Sequence, residues 1–320
     1  MKNKFLKLSV AVCILFIMSG CAPEKPTVAV TNYPTEYLVK RIGGDYIDVE
    51  NITKDGLYQT SELESNYKAT LNDSDVLFYM NGLESYFSIY EKDIKNTDVD
   101  MVDLSVSSAI YKFQRYSSAY VNDKLVVVES PYYDEAIFEN VNMYTNDPMC
   151  WMDPIIATSM AESIKDELIS RYPEYKRAFN DNFDKLQGDL ARLDAEYQSL
   201  VSSKLNVSIV TISSSFGYLQ KSYGVDIYPV VLSKYGALPS ETQYNEIVKT
   251  IKRDKVKYIA QESFLNKDMT NLYSRVIADC SLTPVSLSNL NALSEENKKT
   301  NIDYLTIMYK NLEVLEQISE

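Results

Sequence analysis

The chain has 320 residues, of which 45% are hydrophobic and 24% charged, and this composition is typical of a soluble protein large enough for two domains. Its formal net charge of −13 argues against nucleic acid as a partner, because phosphate backbones are bound by basic surfaces. The sequence contains no histidine, which removes the commonest general base and metal ligand. We therefore predict that the chain is not an enzyme.

The first twenty residues have the pattern of a secretory signal peptide. Three lysines precede an apolar run at residues 8–18, which is too short to span a bilayer. Small residues then lead to Cys21, an arrangement typical of bacterial lipoproteins, in which this cysteine is lipidated. We predict a signal peptide over residues 1–20, a lipid anchor at Cys21 on the extracytoplasmic side of the bacterial cell membrane, and a tether over residues 21–26.

Beyond the tether, short apolar runs alternate with helical patterns, which predicts an α/β fold with mainly parallel sheets flanked by helices. Four strands are predicted in each half of the chain, at residues 27–31, 46–52, 75–80 and 99–104 and then at 207–212, 227–232, 256–261 and 283–287. Between them, residues 105–150 are rich in tyrosine and show no clear period apart from a strand-like run at 125–128. The role of this tyrosine-rich loop stays open.

A long helical pattern separates the two sets of strands. One helix is predicted at residues 154–170 and a longer one from about 173 to 203, where apolar residues alternate steps of four and three. Thirty helical residues would extend about 45 Å, enough to run past two domains. The sequence thus predicts an N-terminal α/β lobe at residues 27–150, a helical segment at 151–203, and a C-terminal α/β lobe at 204–320.

Six short motifs in chain order carry a resemblance to a known family. They are V-T-N-Y-P at residues 30–34, L-N-D-S-D-V at 71–76 with N-G-L-E at 81–84, D-P-M-C-W-M-D-P at 147–154, F-G-Y at 216–218 with Y-G at 223–224, Glu262, and Y-K-N-L at 309–312. Together they resemble the solute-binding lipoproteins of zinc and manganese ABC importers. The resemblance implies a monomer whose two lobes are joined by one rigid helix, with ABC permease and ATPase subunits as partners.

In that family a divalent metal is held between the lobes by imidazoles and carboxylates, groups that suit zinc and manganese. The resemblance places the four ligand positions on uncharged side chains, which are Gln59, Met149, Ser213 and Ser288, the last replaced by Asn289 if the register shifts by one. The neighbours expected in the cleft are Glu62, Cys150, Glu262 and Asn289. The sequence therefore predicts a divergent member that lacks the histidine ligands, for which no metal cofactor is certain.

Three functions remain open at this point. The first is a solute-binding lipoprotein of an ABC importer whose cleft holds another ligand, such as a small polar organic molecule. The second is a metal site made from other residues, in which Met149 and Cys150 bind a soft ion. The third is a surface lipoprotein that contacts a partner through its tyrosine-rich loop. The sequence names neither the ligand nor the redox state of Cys150 and Cys280.

Overall fold

The structure, a computed structural model, describes residues 25–121, 124–203 and 207–319. The predicted signal peptide, the predicted lipidation site Cys21 and most of the predicted tether lie outside these residues. Within the described ranges, no helix has both the length and the apolar character needed to cross a membrane.

The N-terminal lobe is built on a parallel sheet of four strands. In chain order the strands are β1 (Thr27–Val30), β2 (Asp48–Asn51), β3 (Val76–Tyr79) and β4 (Asp100–Asp103), and their spatial order is β2-β1-β3-β4. The helices of this lobe are α1 (Tyr33–Gly43), α2 (Tyr67–Asn72) and α3 (Phe87–Lys95). The central strands β1 and β3 are the most buried, which explains why they appear in the sequence as continuous apolar runs.

Helix α1 shows how local sequence fixes the end of an element. The Asn32 side chain accepts a hydrogen bond from the Thr35 backbone N–H at 2.9 Å, and Pro34 lies in the first turn, where its missing N–H costs nothing. Gly44 ends the helix with a φ of 54°, a conformation that favours glycine.

An antiparallel hairpin lies where the sequence showed no clear period. Its strands are β5 (Arg115–Val121) and β6 (Lys124–Ser130), and the predicted strand-like run forms part of β6. The Arg115 guanidinium donates a hydrogen bond to the Tyr228 hydroxyl at 2.8 Å and lies 3.6 Å from the Asp226 carboxylate. These contacts attach the hairpin to the C-terminal lobe.

Two helices connect the lobes, α4 (Pro154–Arg171) and α5 (Lys176–Ser203). Helix α5 has 28 residues and therefore extends about 42 Å at 1.5 Å per residue. It packs on α1 and α4, and also on two helices of the C-terminal lobe. Its predicted seam is buried throughout and consists of Phe179, Phe183, Leu186, Leu190, Leu193, Tyr197 and Leu200.

The C-terminal lobe repeats the topology of the first. Its strands are β7 (Ser208–Thr211), β8 (Asp226–Pro229), β9 (Tyr258–Gln261) and β10 (Thr283–Ser286), in the spatial order β10-β9-β7-β8. Its helices are α6 (Gly217–Tyr223), α7 (Glu241–Arg253), α8 (Lys267–Cys280), α9 (Glu295–Lys299) and α10 (Tyr304–Ile318). In both lobes the first strand pairs with the second and the third, and the third pairs with the fourth. The predicted fold class, two parallel α/β lobes joined by a long helix, is confirmed.

Candidate interlobe site

The site in the C-terminal lobe is organised by the carboxylate of Glu262. This residue follows β9, and the neighbouring strands β7 and β10 end close to it, since the carboxyl ends of parallel strands meet at one edge of a sheet. Its carboxylate accepts hydrogen bonds from the backbone N–H groups of Ile212 at 2.6 Å and Ser213 at 3.0 Å. It also accepts from the Ser213 hydroxyl and from Asn289 Nδ2, the latter at 3.1 Å.

These four donors offset part of the cost of burying the carboxylate. Burial is the largest influence on Glu262 and raises its pKa, whereas the hydrogen bonds from Ser213, Ile212 and Asn289 oppose that rise. Three of the four donors are N–H groups, which have no lone pair to offer a cation. The carboxylate is therefore saturated by protein donors in the arrangement that the structure shows.

The N-terminal lobe reaches this cluster through a short helical turn at Tyr58–Thr60. Gln59 Nε2 donates a hydrogen bond to Ser214 Oγ at 3.3 Å, and the Tyr58 hydroxyl donates to the Leu290 carbonyl at 3.2 Å. The side chains of Gln59, Ser214 and Tyr58 are almost completely buried. Two hydrogen bonds from neutral side chains thus join the lobes next to the Glu262 cluster.

The D-P-M-C-W-M-D-P segment packs next to Tyr58, one of the residues that join the lobes. The Met149 side chain is fully buried in the core, and its backbone N–H donates to Asp147 Oδ1 at 3.0 Å. The Trp151 ring makes an edge contact with Tyr58, with ring centroids 5.1 Å apart. Asp153 ends the segment by capping α4, where it accepts hydrogen bonds from the first backbone N–H groups of that helix.

Asp147 shows a close approach that the sequence did not reveal. A Cβ atom at position 217 would lie 2.2 Å from Asp147 Oδ2, so Gly217 is the residue that lets α6 come this close. The Tyr218 hydroxyl donates to the Asp147 carbonyl at 2.8 Å. Burial raises the pKa of Asp147 to about 7, although the hydrogen bond from the Met149 N–H opposes this. The F-G-Y motif therefore carries a packing role against the D-P segment.

Among the predicted cleft residues, Glu62 must be corrected. Its side chain is 72% exposed and pairs with Lys54, with Nζ and Oε2 2.8 Å apart. The next residue, Leu63, forms an antiparallel bridge with Thr53 and is buried, so alternation along the extended chain turns Glu62 outward. Glu62 is a surface residue and no part of the cluster.

Cys150 also lies away from the cluster. Its Sγ is 3.4 Å from Met160 Sδ on α4, inside the core, and burial raises the pKa of the thiol above its ordinary value. Both Cys150 and Cys280 are free, so they do not form a disulfide in this structure. A soft-ion site made from Met149 and Cys150 would have to form inside the core, where both side chains are fully buried.

The two residues considered for the fourth ligand position have different surroundings in the structure. Asn289 is buried and donates to Glu262, whereas Ser288 is half-buried and its Oγ accepts from the Leu290 N–H at 3.2 Å. Asn311 fixes Ser288 through two backbone hydrogen bonds. Asn289, and not Ser288, is therefore the residue that contacts Glu262 in the cluster. Which of the two corresponds to the family's fourth ligand position stays a prediction.

The cluster contains one residue that sequence reasoning missed, Ser214. It is the second of three serines that follow β7, and the side chains of all three are buried. Ser213 Oγ also lies 2.9 Å from Ser215 Oγ. Within the ranges that the structure describes, no group of three or more His, Cys, Asp or Glu side chains could hold a metal ion.

Comparison with known proteins identifies relatives that match both lobes of the chain. The chain is 26% identical over 327 residues to the zinc-binding lipoprotein AdcA of Streptococcus pneumoniae, covering 99% of this chain and 61% of that protein. It is 23% identical over 313 residues to the high-affinity zinc uptake system protein ZnuA of Bacillus subtilis, covering 96% and 93%. The chain thus spans about three fifths of the pneumococcal relative.

A solved structure shows the same fold. The crystal structure of the Streptococcus pneumoniae AdcAII protein superposes with a TM-score of 0.73 at 21% identity, covering 93% of this chain and 100% of that one. Residues 28–318 match the profile of the family described as ZnuA, the periplasmic zinc-uptake complex component A. A family of transport components agrees with the prediction that the chain is not an enzyme. The chain belongs to the ZnuA family, as its sequence motifs predicted.

Proposed function

We propose that this chain is the lipid-anchored solute-binding component of an ABC import system, and that its interlobe site does not hold zinc at the family's ligand positions. In this proposal residues 1–20 are removed, Cys21 carries the lipid, and a single copy docks on the permease and ATPase subunits. Family membership supports the role in uptake, and the signal-like N-terminus supports the extracytoplasmic location.

The proposal that the site does not hold zinc rests on one observation, that protein donors already saturate the carboxylate of Glu262. Zinc is held in proteins by electron pairs from imidazole, thiolate or carboxylate groups. Here the carboxylate already accepts from Ile212, Ser213 and Asn289, and the side chains at the other positions are neutral. A zinc ion would have to displace these donors without gaining a histidine in return.

The arrangement of the sulfur atoms does not favour the soft-metal alternative. A copper(I)-type site needs a thiolate or thioethers that converge on one point. The Cys150 thiol donates a hydrogen bond to Met160 Sδ inside the core, where both side chains are fully buried, and the raised pKa of the thiol keeps it protonated at neutral pH. A buried thiol beside a thioether is ordinary core packing.

Elemental analysis tests the proposal on zinc. The chain from residue 22 onward is purified without a histidine tag, and zinc and manganese are counted per chain. The zinc-binding lipoprotein AdcA of Streptococcus pneumoniae, prepared in the same way, is the positive control. We expect far less than one metal ion per chain. One zinc ion per chain, lost on Glu262→Gln, would overturn the proposal.

Reconstitution tests the proposed role in import. The permease and ATPase subunits of the same bacterium are placed in proteoliposomes, and ATP hydrolysis is measured with and without the chain. We expect stimulation by this chain and none by an unrelated lipoprotein of similar size and charge. Equal rates in both cases would contradict the importer assignment while leaving the metal result unaffected.

A further inference from the structure

A pocket of about 490 Å³ lies in the C-terminal lobe, at the edge of the sheet where β9 and β10 end. Helix α10 and the segment at residues 292–302 form its other walls. Ligands of α/β proteins commonly bind outside the carboxyl ends of parallel strands, which is the position of this pocket. Glu262, Ser213 and Asn289 do not line it, so the pocket is separate from the Glu262 cluster.

Two neighbouring strands present an array of polar side chains to the pocket. Gln261 and Ser286 are the last residues of β9 and β10, and they are partners in the parallel register of these strands. Neighbouring strands lie about 4.8 Å apart, and residues in register point to the same face of a sheet, so one small molecule can contact both side chains. Ser263 and Ser288, each two residues further along the chain, line the same pocket.

Alternation along the chain separates this array from the Glu262 cluster. Gln261 and Ser263 are exposed, whereas Glu262 between them is buried. The same pattern follows β10, where Leu287 is buried between the two serines of the array. Side chains at positions i and i+2 of an extended chain point to the same side. The array and the carboxylate of Glu262 therefore point in opposite directions from the same strand end.

Three side chains of the array are free to bind a ligand. Over residues 25–121, 124–203 and 207–319, the side chains of Gln261, Ser263 and Ser286 form no hydrogen bond with the protein. Their amide and hydroxyl groups can both donate and accept, and the water that solvates them can be replaced by ligand hydroxyls. Asn311 on α10 holds the backbone of Ser288 through hydrogen bonds of 2.8 and 2.7 Å, which fixes the helix beside the array.

The remaining lining of the pocket combines apolar and charged residues. Ile302 and Val314 are half-buried and supply apolar surface. The charged residues Lys310, Glu296 and Glu313 are exposed and include both signs, so the pocket does not select strongly for an anion or a cation. Apolar surface next to a few fixed polar groups is typical of sites for small neutral molecules that carry hydroxyl groups.

We propose that this pocket binds a neutral monosaccharide. Its hydroxyl groups exchange hydrogen bonds with Gln261, Ser263 and Ser286, and the C–H groups of its ring pack on Ile302 and Val314. At roughly 30 Å³ per water, 490 Å³ corresponds to about 16 waters, which leaves room for a hexose of about a dozen non-hydrogen atoms.

This inference goes beyond the proposed function and does not depend on it. Every residue that lines the pocket belongs to the C-terminal lobe, so a bound sugar would not join the lobes as a solute in the interlobe site does. Zinc found in the protein would contradict the proposed function alone, whereas failure to bind sugars would contradict this inference alone.

Calorimetric titration of the same untagged chain tests the inference with glucose, galactose and mannose as probes. We expect at least one of them to bind with a Kd of about 1 mM or lower. Cyclohexanol, a ring of similar size with a single hydroxyl group, should bind at least tenfold more weakly. Methyl glycosides of the bound sugar distinguish its source, because retained binding assigns the end of a glycan and lost binding assigns the free sugar. Binding is measured directly because sugars raise Tm without binding, through exclusion from the protein surface.

Variants of the array connect binding to this pocket. Gln261→Leu and Ser286→Val should each weaken binding at least fivefold, the effect of one lost hydrogen bond of ordinary strength. Thr283→Val is the matched control, because Thr283 is an exposed hydroxyl residue at the other end of β10 and does not line the pocket. We expect less than a twofold change for this control, and circular dichroism verifies that all three variants are folded.

Three results would each overturn the inference. The first is that none of the three hexoses binds with the expected Kd. The second is that cyclohexanol binds as tightly as the best hexose. The third is that either Gln261→Leu or Ser286→Val leaves sugar binding unchanged.

Discussion

Two buried glutamates, one in each lobe, follow the third strand of their sheet and have opposite surroundings. Glu84 follows β3, the third strand of the N-terminal sheet, and Glu262 follows β9, the third strand of the C-terminal sheet. Glu262 accepts four hydrogen bonds, whereas neither carboxylate oxygen of Glu84 accepts a well-aligned hydrogen bond within the described residues, and contacts with Thr31 and Asn32 only partly oppose the effect of burial. The comparison shows that the effect of burying a carboxylate depends on the hydrogen-bond donors around it. With donors a buried carboxylate stabilises the fold, and without them its protonated form is favoured.

Removing the satisfied glutamate should have the largest effect. Glu262→Leu leaves the N–H groups of Ile212 and Ser213 and the amide of Asn289 buried without an acceptor. Each unsatisfied buried donor costs about 1–3 kcal/mol, so we expect the free energy of unfolding to fall by at least about 3 kcal/mol. Urea denaturation at pH 7 measures this. A loss below about 1 kcal/mol would show that the donors find other partners and that Glu262 is not the centre of the cluster.

Replacing Glu84 should change the free energy of unfolding by less, and in the opposite direction. The pKa of Glu84 is about 7 in the folded protein against an ordinary value of 4.5, so the native state binds its proton more tightly than the unfolded chain does. The free energy of unfolding should therefore fall as pH rises from about 4.5 to above 7, by about 3 kcal/mol from this residue, at 1.36 kcal/mol per pKa unit.

Glu84→Gln removes this contribution, and the variant should gain stability relative to the wild type as pH rises. Denaturation curves at pH 5 and pH 8 measure the change. Asp147, whose pKa is also raised to about 7, titrates in both proteins, so only the difference between the two curves reports on Glu84. Parallel stability profiles would contradict the raised pKa of Glu84.

The third prediction separates two adjacent residues. Asn289→Ala removes a hydrogen bond to a carboxylate, worth about 2 kcal/mol, together with the hydrogen bond that the Asn291 N–H donates to its Oδ1. Ser288→Ala removes only a local hydrogen bond to the Leu290 N–H and should cost about 0.5 kcal/mol. Thermal denaturation of the two variants side by side decides which residue belongs to the cluster, and equal losses would place neither in it.

The fold could be predicted because its signals are local. The seam of α5 repeats at helical spacing, and the strands β1 and β3 are continuous apolar runs, so both were visible without tertiary information. The hairpin was predicted only in part because β5 is rich in polar and small residues, and its pairing with β6 is set by contacts that the sequence period does not record.

The site was predicted only in part. Motifs indicate which residues lie near the cleft, but they do not show which way each side chain points. The motifs placed Gln59, Ser213 and Glu262 in the cleft, and the structure brings all three to the lobe interface. The same counting placed Glu62 in the cleft, where alternation along the extended chain instead turns it to solvent. Glu84 lay in a recognised motif, yet its raised pKa depends on which donors surround it in three dimensions.

The central claim is that protein donors at Glu262 take the place of a metal between the lobes. Thermal denaturation with excess zinc and with a chelator tests it most directly, since a ligand bound only by the native state at about 100 times its Kd adds about 2.7 kcal/mol of stability. We predict the same Tm under both conditions, for the wild type and for Ser213→Ala alike. A clear rise in Tm with zinc that disappears in Glu262→Gln would contradict the claim.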